Sequence, residues 1–350
     1  MDHTLETRVA GGQPIGIDEA TELWNEADDP TLTRLAGLAR ARFHPPDRAT
    51  WLMMAIVNYT NVCVARCDYC AFYRLPKQDG GYLLTFEEVC ARIDALVAHG
   101  GQLVGFNGGF HPKLRIGDYA SLFQRIRATY PQLEFFEMTV AEFMYSCKVS
   151  RMSYAEGAKV LRNSGTRWVT GGGAEVLEDG FRARHSPLKY TVEDYYSAQR
   201  AILDAGMGST ATMVIGFDET LAERLAHLDR LRRFQDEVGG RLPSFLCWTY
   251  KPGNTALGGA EVSEREYLRW LAISRIFLNN FRHIRTSVLT RNEGALQGLR
   301  FGADDFDLPT EDEVTQSAGA TISLEFGRIL DAARSAGFDP VQRAPFGAAG

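Results

Sequence analysis

Cys63-Val-Ala-Arg-Cys67-Asp-Tyr-Cys70, set directly after the apolar run 52–57 (Leu-Met-Met-Ala-Ile-Val), decides how this chain is read. Three thiolates separated by three and then two residues can hold three irons of a cubane [4Fe–4S] cluster. The other cysteines, Cys90, Cys147 and Cys247, are scattered singly, so one iron is left without a protein ligand. A structural zinc site takes four closed ligands and a ferredoxin-type cluster four thiolates; the motif matches neither. Six cysteines in 350 residues also make a poor disulfide framework, which belongs to small secreted domains. An open iron is a chemical site, because a small molecule can chelate it. S-adenosylmethionine (SAM), offering an amino and a carboxylate group, is the expected chelator, and the motif points to radical chemistry.

Composition bounds the partners. A hydrophobic fraction of 45% is enough for a large core. The net charge of −6 and pI near 5.7 argue against nucleic acid as a general partner. No apolar stretch approaches a membrane span, and Met1-Asp-His-Thr-Leu-Glu-Thr-Arg8 lacks the basic-then-apolar pattern of a signal peptide. We expect a cytoplasmic enzyme with a small-molecule substrate, no nucleic acid, no membrane, and an electron donor such as flavodoxin or ferredoxin.

Outward from the cysteines, helix and strand signals alternate. Thr85-x-x-Glu88, Ser153-x-x-Glu156, Thr220-x-x-Glu223, Ser263-x-x-Glu266 and Thr310-x-x-Glu313 match the capping box, in which hydroxyl and carboxylate satisfy free backbone donors reciprocally. Behind the first, Phe86, Val89, Ile93, Leu96 and Val97 recur at helical spacing. Between the helices lie apolar runs of strand length at 102–106, 133–138, 167–169, 210–215 and 244–249. Repeated βα units predict an α/β fold: a TIM-type (β/α) barrel, complete or partial. Residues 1–49 read as an N-terminal helical arm ending at Pro45-Pro46, 50–305 as the barrel, and 306–350 as a C-terminal extension closing it.

In such a barrel, chemistry gathers at the C-terminal ends of the strands. Tyr69, beside Cys70, can set its ring or backbone against adenine, or merely fill space. Gly108 and Gly109, after the second strand, allow close backbone approach to a ligand and suit the methionyl amino group. After the fourth, Gly171-Gly-Gly-Ala-Glu175 clears room and offers Glu175 to ribose hydroxyls or an ammonium group. Arg182 and Arg184 follow; a guanidinium matches a carboxylate bidentately, unless these are surface arginines. Met213 in the fifth strand, and Trp248, Thr249 and Tyr250 after the sixth, form the expected wall beside adenine, with Thr249 and Asn254 facing substrate. Trp248 reads equally as core.

At this point the motifs carry a resemblance. Asn58-Tyr-Thr-Asn-Val-Cys63, Cys70-Ala-Phe-Tyr-Arg74, Gly171-Gly-Gly-Ala-Glu175, Ala211-Thr-Met and Trp248-Thr-Tyr-Lys-Pro-Gly-Asn-Thr255 are similar to those of the dehypoxanthine futalosine cyclases. These are radical SAM enzymes of the futalosine route to menaquinone, related to aminofutalosine synthase, the deazaflavin-forming synthases and the aromatic amino acid lyases. The resemblance extends to Ala303-Asp304-Asp305 and Gln342-Arg343 and implies a shared fold, cluster and SAM chemistry. It implies a 5′-deoxyadenosyl radical that removes a substrate hydrogen, a sugar radical that attacks an aromatic ring, and loss of a proton and an electron. Glu137, His111, Asp304 and Asp305 are the candidates to take the proton; His111, before Pro112, reads equally as a turn residue.

Four segments depart from that family's pattern. Asn107-Gly-Gly stands for Gln-Gly-Gly, and Phe135-Phe-Glu-Met-Thr139 for a His-containing segment. Val288-Leu-Thr-Arg-Asn292 stands for a Trp-Val-Thr-Gln-Gly-like run, and Phe306-Asp-Leu-Pro-Thr310 for Gly-Ser-Thr-Met. Cluster and SAM loops are retained while loops expected to meet substrate differ, Glu137 adding a carboxylate and Arg291 a guanidinium. The alternative is therefore a radical SAM enzyme that cleaves, dehydrogenates or epimerises another small molecule in a specialised pathway. An iron–sulfur sensor without turnover is a third reading, which the SAM-type loops oppose.

Overall fold

The computed structural model describes residues 3–345. Its strands are β1 (Arg48–Val57), β2 (Leu103–Phe106), β3 (Glu134–Phe136), β4 (Trp168–Val169), β5 (Gly208–Ser209), β6 (Ala211–Ile215), β7 (Ser244–Thr249), β8 (His283–Thr286), β9 (Asp305–Asp312) and β10 (Asp339–Gln342). Each apolar run read as a strand carries one. The main ladder runs β3-β2-β1-β9-β8-β7-β6, with β10 beside the start of β1, and its pairings are parallel.

This ladder curls through 204° as a half-barrel. Across the remaining opening stand β4 and β5, paired with each other. The Glu137 N–H donates to the Trp168 carbonyl at 3.1 Å, and the Gly171 N–H donates to Thr210 Oγ1 at 3.1 Å. Backbone donors that an open sheet edge would leave bare are thereby occupied.

The helices start where the capping boxes place them. Thr85, Ser153 and Thr220 each accept from the N–H three residues on, and the matching glutamates return the bond. Ser263 makes only its own half. Thr310 does not cap: it lies inside β9, and Asp312 caps the short helix Glu313–Ser317 instead. Strand β9, Asp-Phe-Asp-Leu-Pro-Thr-Glu-Asp, escapes a propensity reading because acids and proline are poor strand formers. Here the carboxylates are matched: Asp305 by Arg285 and Arg343, Asp307 by Arg285, and Glu311 by Arg92. The expected division between residues 305 and 306 falls within this strand, which pairs with β1 and β8.

The N-terminal helices His3–Ala10, Ile17–Glu26 and Asp29–Ala41 share the barrel's core rather than standing apart. Trp24 meets the buried Trp270 edge-on at 5.9 Å. Arg269 ties the Trp24 and Ala27 carbonyls to Asp29. The final five residues of the Gly/Ala/Pro-rich tail, with Met1 and Asp2, lie outside the described residues. Among the described residues, no helix is long and apolar enough to cross a membrane.

Candidate active site

The cysteine loop leaves β1 and is held from several sides. The Cys63 N–H donates to the Arg74 carbonyl at 2.9 Å, and the Val64 N–H to the Phe110 carbonyl at 3.2 Å. Asp68 gives its N–H to the His185 carbonyl at 3.2 Å and accepts from His185 Nδ1 at 3.0 Å. Arg66 takes a left-handed φ of 53°, bending the chain between Cys63 and Cys67. All three motif thiols are free and line one cavity of about 310 Å³. Burial pushes the Cys70 thiol up to about 12 and raises Cys67 as well, with nearby Lys189 opposing the rise at Cys67. A metal reverses that balance, because a coordinating thiol is deprotonated outright. Three thiols on one wall, with no fourth cysteine among the cavity-lining residues, fit a cluster with one open iron.

The glycines serve close packing of the chain against itself. A Cβ on Gly109 would lie 2.4 Å from the Val62 carbonyl and 2.8 Å from Cys63 Cβ, so any larger residue displaces the cysteine loop. Gly173, at φ +84°, would put a Cβ 2.3 Å from that of Ala141. Gly108 and Gly109 also line the cavity, and so do Tyr69, Glu175, Trp248, Thr249 and Tyr250. The Thr249 hydroxyl is buried without a partner.

Two groups that sequence reasoning passed over organise this wall. Lys189 Nζ donates to both Glu175 oxygens at 3.1 Å and to the Tyr69 hydroxyl at 3.2 Å. It sits in the loop between helices Asp179–His185 and Val192–Asp204, with no motif around it. Glu142 is fully enclosed: Tyr59 donates to it, the Gly108 N–H at 2.9 Å, and Thr139 through N–H at 3.1 Å and hydroxyl at 2.7 Å. It fastens the loop after β2 to the loop after β3. Burial lifts its carboxyl to about 7 against those hydrogen bonds. Thr139-x-x-Glu142 is itself a capping box, the one signal that could have pointed there.

Other expected site residues lie elsewhere. Thr212 and Val214 face the cavity, so Met213 points to the opposite, fully buried side of its strand, as the two-residue period requires. Likewise Phe136 faces in, and Glu137 points away to pair with Arg127. His111 does not line the cavity; its Nδ1 accepts the Lys113 N–H at 3.3 Å in a turn. Asp304 and Asp305 stand at the start of β9, the barrel end opposite the chemistry. Arg275, His283, His44 and the Ile284 N–H surround Asp304, while Arg285, Arg343 and Thr50 hold Asp305. Arg182 lies behind Glu175, donating to the Ala174 and Tyr190 carbonyls at 2.9 Å; Arg184 pairs at the surface with Glu223. Arg291 turns to the Val262 carbonyl and the Tyr267 ring. Asn254, outside the cavity, donates to the Ser317 carbonyl. In their place Asp312 and the Arg285–Asp307 ion pair line the cavity.

The Radical SAM superfamily pattern matches residues 57–231, half of the chain. The chain belongs to the radical SAM superfamily. This radical SAM enzyme also matches the CofH/MqnC C-terminal region over 240–346. Cyclic dehypoxanthine futalosine synthase of Halalkalibacterium halodurans is 34% identical over 346 residues, 98% of this chain and 93% of that protein. The synthase of the same name from Streptomyces coelicolor is 35% identical over 343 residues, 96% and 86% of the two chains. Aminodeoxyfutalosine synthase of Thermus thermophilus is 32% identical, covering 93% and 92%. Among solved structures, methylornithine synthase (PylB) superposes with a TM-score of 0.73 at 15% identity over 96% of this chain and 97% of that one, which shows a common fold. The superfamily works with a [4Fe–4S] cluster, SAM and a reductant.

Proposed function

We propose that this radical SAM enzyme is a cyclase that closes a carbon–carbon bond on a nucleoside-like or aromatic-sugar substrate, dehypoxanthine futalosine or a relative. The reading is carried by one cavity that gathers Cys63, Cys67 and Cys70 together with strand-end hydroxyls and carboxylates set in apolar walls. Cys63, Cys67 and Cys70 would hold the cluster. When bound and reduced, it supplies the electron that splits SAM into methionine and a 5′-deoxyadenosyl radical.

The chain's own residues do the rest. Lys189 and Arg182 around Glu175 leave one net positive charge beside the thiols, which offsets a three-thiolate cluster and suits the methionine carboxylate. Tyr69, Gly108, Gly109 and Glu175 form the SAM-facing wall, continued by Trp248, Thr249 and Tyr250. Thr249 offers its unpaired hydroxyl to the ligand. The enclosing walls exclude water from the radical. A flavodoxin or ferredoxin in the cytoplasm would deliver the electron.

The test is anaerobic reconstitution with SAM, dithionite and dehypoxanthine futalosine, read by mass spectrometry. Substrate-dependent 5′-deoxyadenosine together with a product lacking two hydrogens of the substrate supports the cyclase. Slow 5′-deoxyadenosine formation with the futalosine compound untouched supports the second reading, the same radical machinery on a different small molecule. One observation favours that second reading: the Arg285–Asp307 ion pair stands on the cavity wall, and Asp307 lies in a segment that departs from the cyclase pattern.

A further inference from the structure

Thr249 ends β7 and Asp312 ends β9, both at the barrel end where the cysteines lie, and both line the cavity. Each carries a buried oxygen without a partner: Thr249 Oγ1 and Asp312 Oδ1. Asp312 is 3% exposed. Its Oδ2 accepts the Thr315 hydroxyl at 2.7 Å and the Thr315 N–H at 3.3 Å, which fixes the side-chain rotamer of this cavity-lining residue. The Asn58 amide beside it donates from Nδ2 to the Asn107 carbonyl and accepts the Glu313 N–H at Oδ1.

A buried acceptor left unmade is destabilising, more so when charged, so such groups are few in folded proteins and call for an explanation. The surrounding wall is apolar, with Ile56, Leu246, Leu289, Pro309 and Val314. A ligand that satisfies this surface has an apolar body and at least one hydrogen-bond donor. An anionic group is excluded at Oδ1, because two facing carboxylates repel.

We propose that Asp312 anchors the substrate, its Oδ1 accepting a hydrogen bond from a sugar hydroxyl, with Thr249 Oγ1 as a second polar contact. The assignment rests on the aromatic-sugar reading above and specifies which side chain recognises the sugar. Burial raises Asp312 to about 6, opposed by the hydrogen bonds of Thr315, Val314 and Asn58, so near neutral pH it is an anion with its Oδ1 free to accept. Charge-assisted bonds of this kind are about twice as strong as neutral ones.

The experiment compares reconstituted wild type with Asp312→Asn and Asp312→Ser. Both replacements are good helix caps, so the fold is kept; if one fails to fold, the other decides. Binding of dehypoxanthine futalosine is measured by calorimetry with SAM present and no reductant, and KM and kcat follow with dithionite. We expect Kd and KM to rise roughly 10–100-fold, with melting temperatures near wild type. Removing the contacted hydroxyl from the substrate should weaken wild type and not the variants. Variants that bind the substrate as tightly as wild type overturn the anchor and leave the cyclase standing. A wild type that neither binds nor converts dehypoxanthine futalosine overturns the cyclase, and the sugar anchor with it.

Discussion

Lys189 Nζ lies 3.1 Å from both carboxylate oxygens of Glu175, within the wall that the motif cysteines share. Two residues 14 positions apart thus form a buried ion pair beside a site that must accumulate thiolate charge. Breaking such a pair by removing one partner costs about 3–5 kcal/mol, because the survivor is left uncompensated.

Lys189→Met should therefore lower the melting temperature and weaken SAM binding by roughly tenfold or more. Adding Glu175→Gln to it should recover part of the stability and none of the SAM affinity. Thermal melts and equilibrium SAM binding on the four proteins check this; a single variant indistinguishable from wild type in both would sink it.

Cys63→Ala, Cys67→Ala or Cys70→Ala should each reduce iron and acid-labile sulfide to background after anaerobic reconstitution. Cys90→Ala, half-buried and outside the cavity, should retain both. Iron and sulfide analysis with the visible charge-transfer spectrum reads the difference, and loss of cluster from the Cys90 variant would contradict the assignment.

Glu142 gives stability a pH dependence of known sign. Its folded pKa, about 7, lies above the ordinary glutamate value of 4.5. The folded state therefore binds the extra proton between those values, and the contribution of Glu142 falls as pH rises through them. The neutral histidines push the other way, His227 being depressed to about 3 by burial, so the difference between proteins is the informative quantity. Relative to Glu142→Gln, wild type should lose a few kcal/mol between pH 5 and pH 8. Denaturant titrations at both pH values measure it; equal losses in the two proteins would exclude Glu142 as the source.

Thr249→Val is nearly isosteric and removes a buried hydroxyl that has no partner. Its melting temperature should match or exceed wild type, because an unmet polar group costs about 1–3 kcal/mol when buried. Substrate affinity should fall by several-fold at the same time. A clear drop in stability would show that the hydroxyl has a partner in the protein.

Much of this architecture is local and therefore legible. The cysteine spacing, the hydroxyl–carboxylate pairs at helix starts and the apolar runs are short-range signals, and they located the barrel and its cysteine loop. Strand β9 was hidden because its acids are tolerable only with Arg285, Arg343 and Arg92 opposite them. Asp304 and Asp305 looked like chemistry as adjacent acids, yet the strand begins at Asp305 and so places both at the far end of the barrel.

By itself, then, the sequence determined most of the repeating helices and strands and that three thiols converge, because propensity, capping and motif spacing act over a few residues. Tertiary structure decided which side chains face the cavity. Alternation along the strands sent Met213 and Glu137 away while bringing in Thr212 and Phe136. Packing brought Lys189 to Tyr69 across 120 positions and left Asp312 Oδ1 without a partner. Such outcomes depend on desolvation and on the pairing of charges remote in the chain, and no local pattern of residues encodes them.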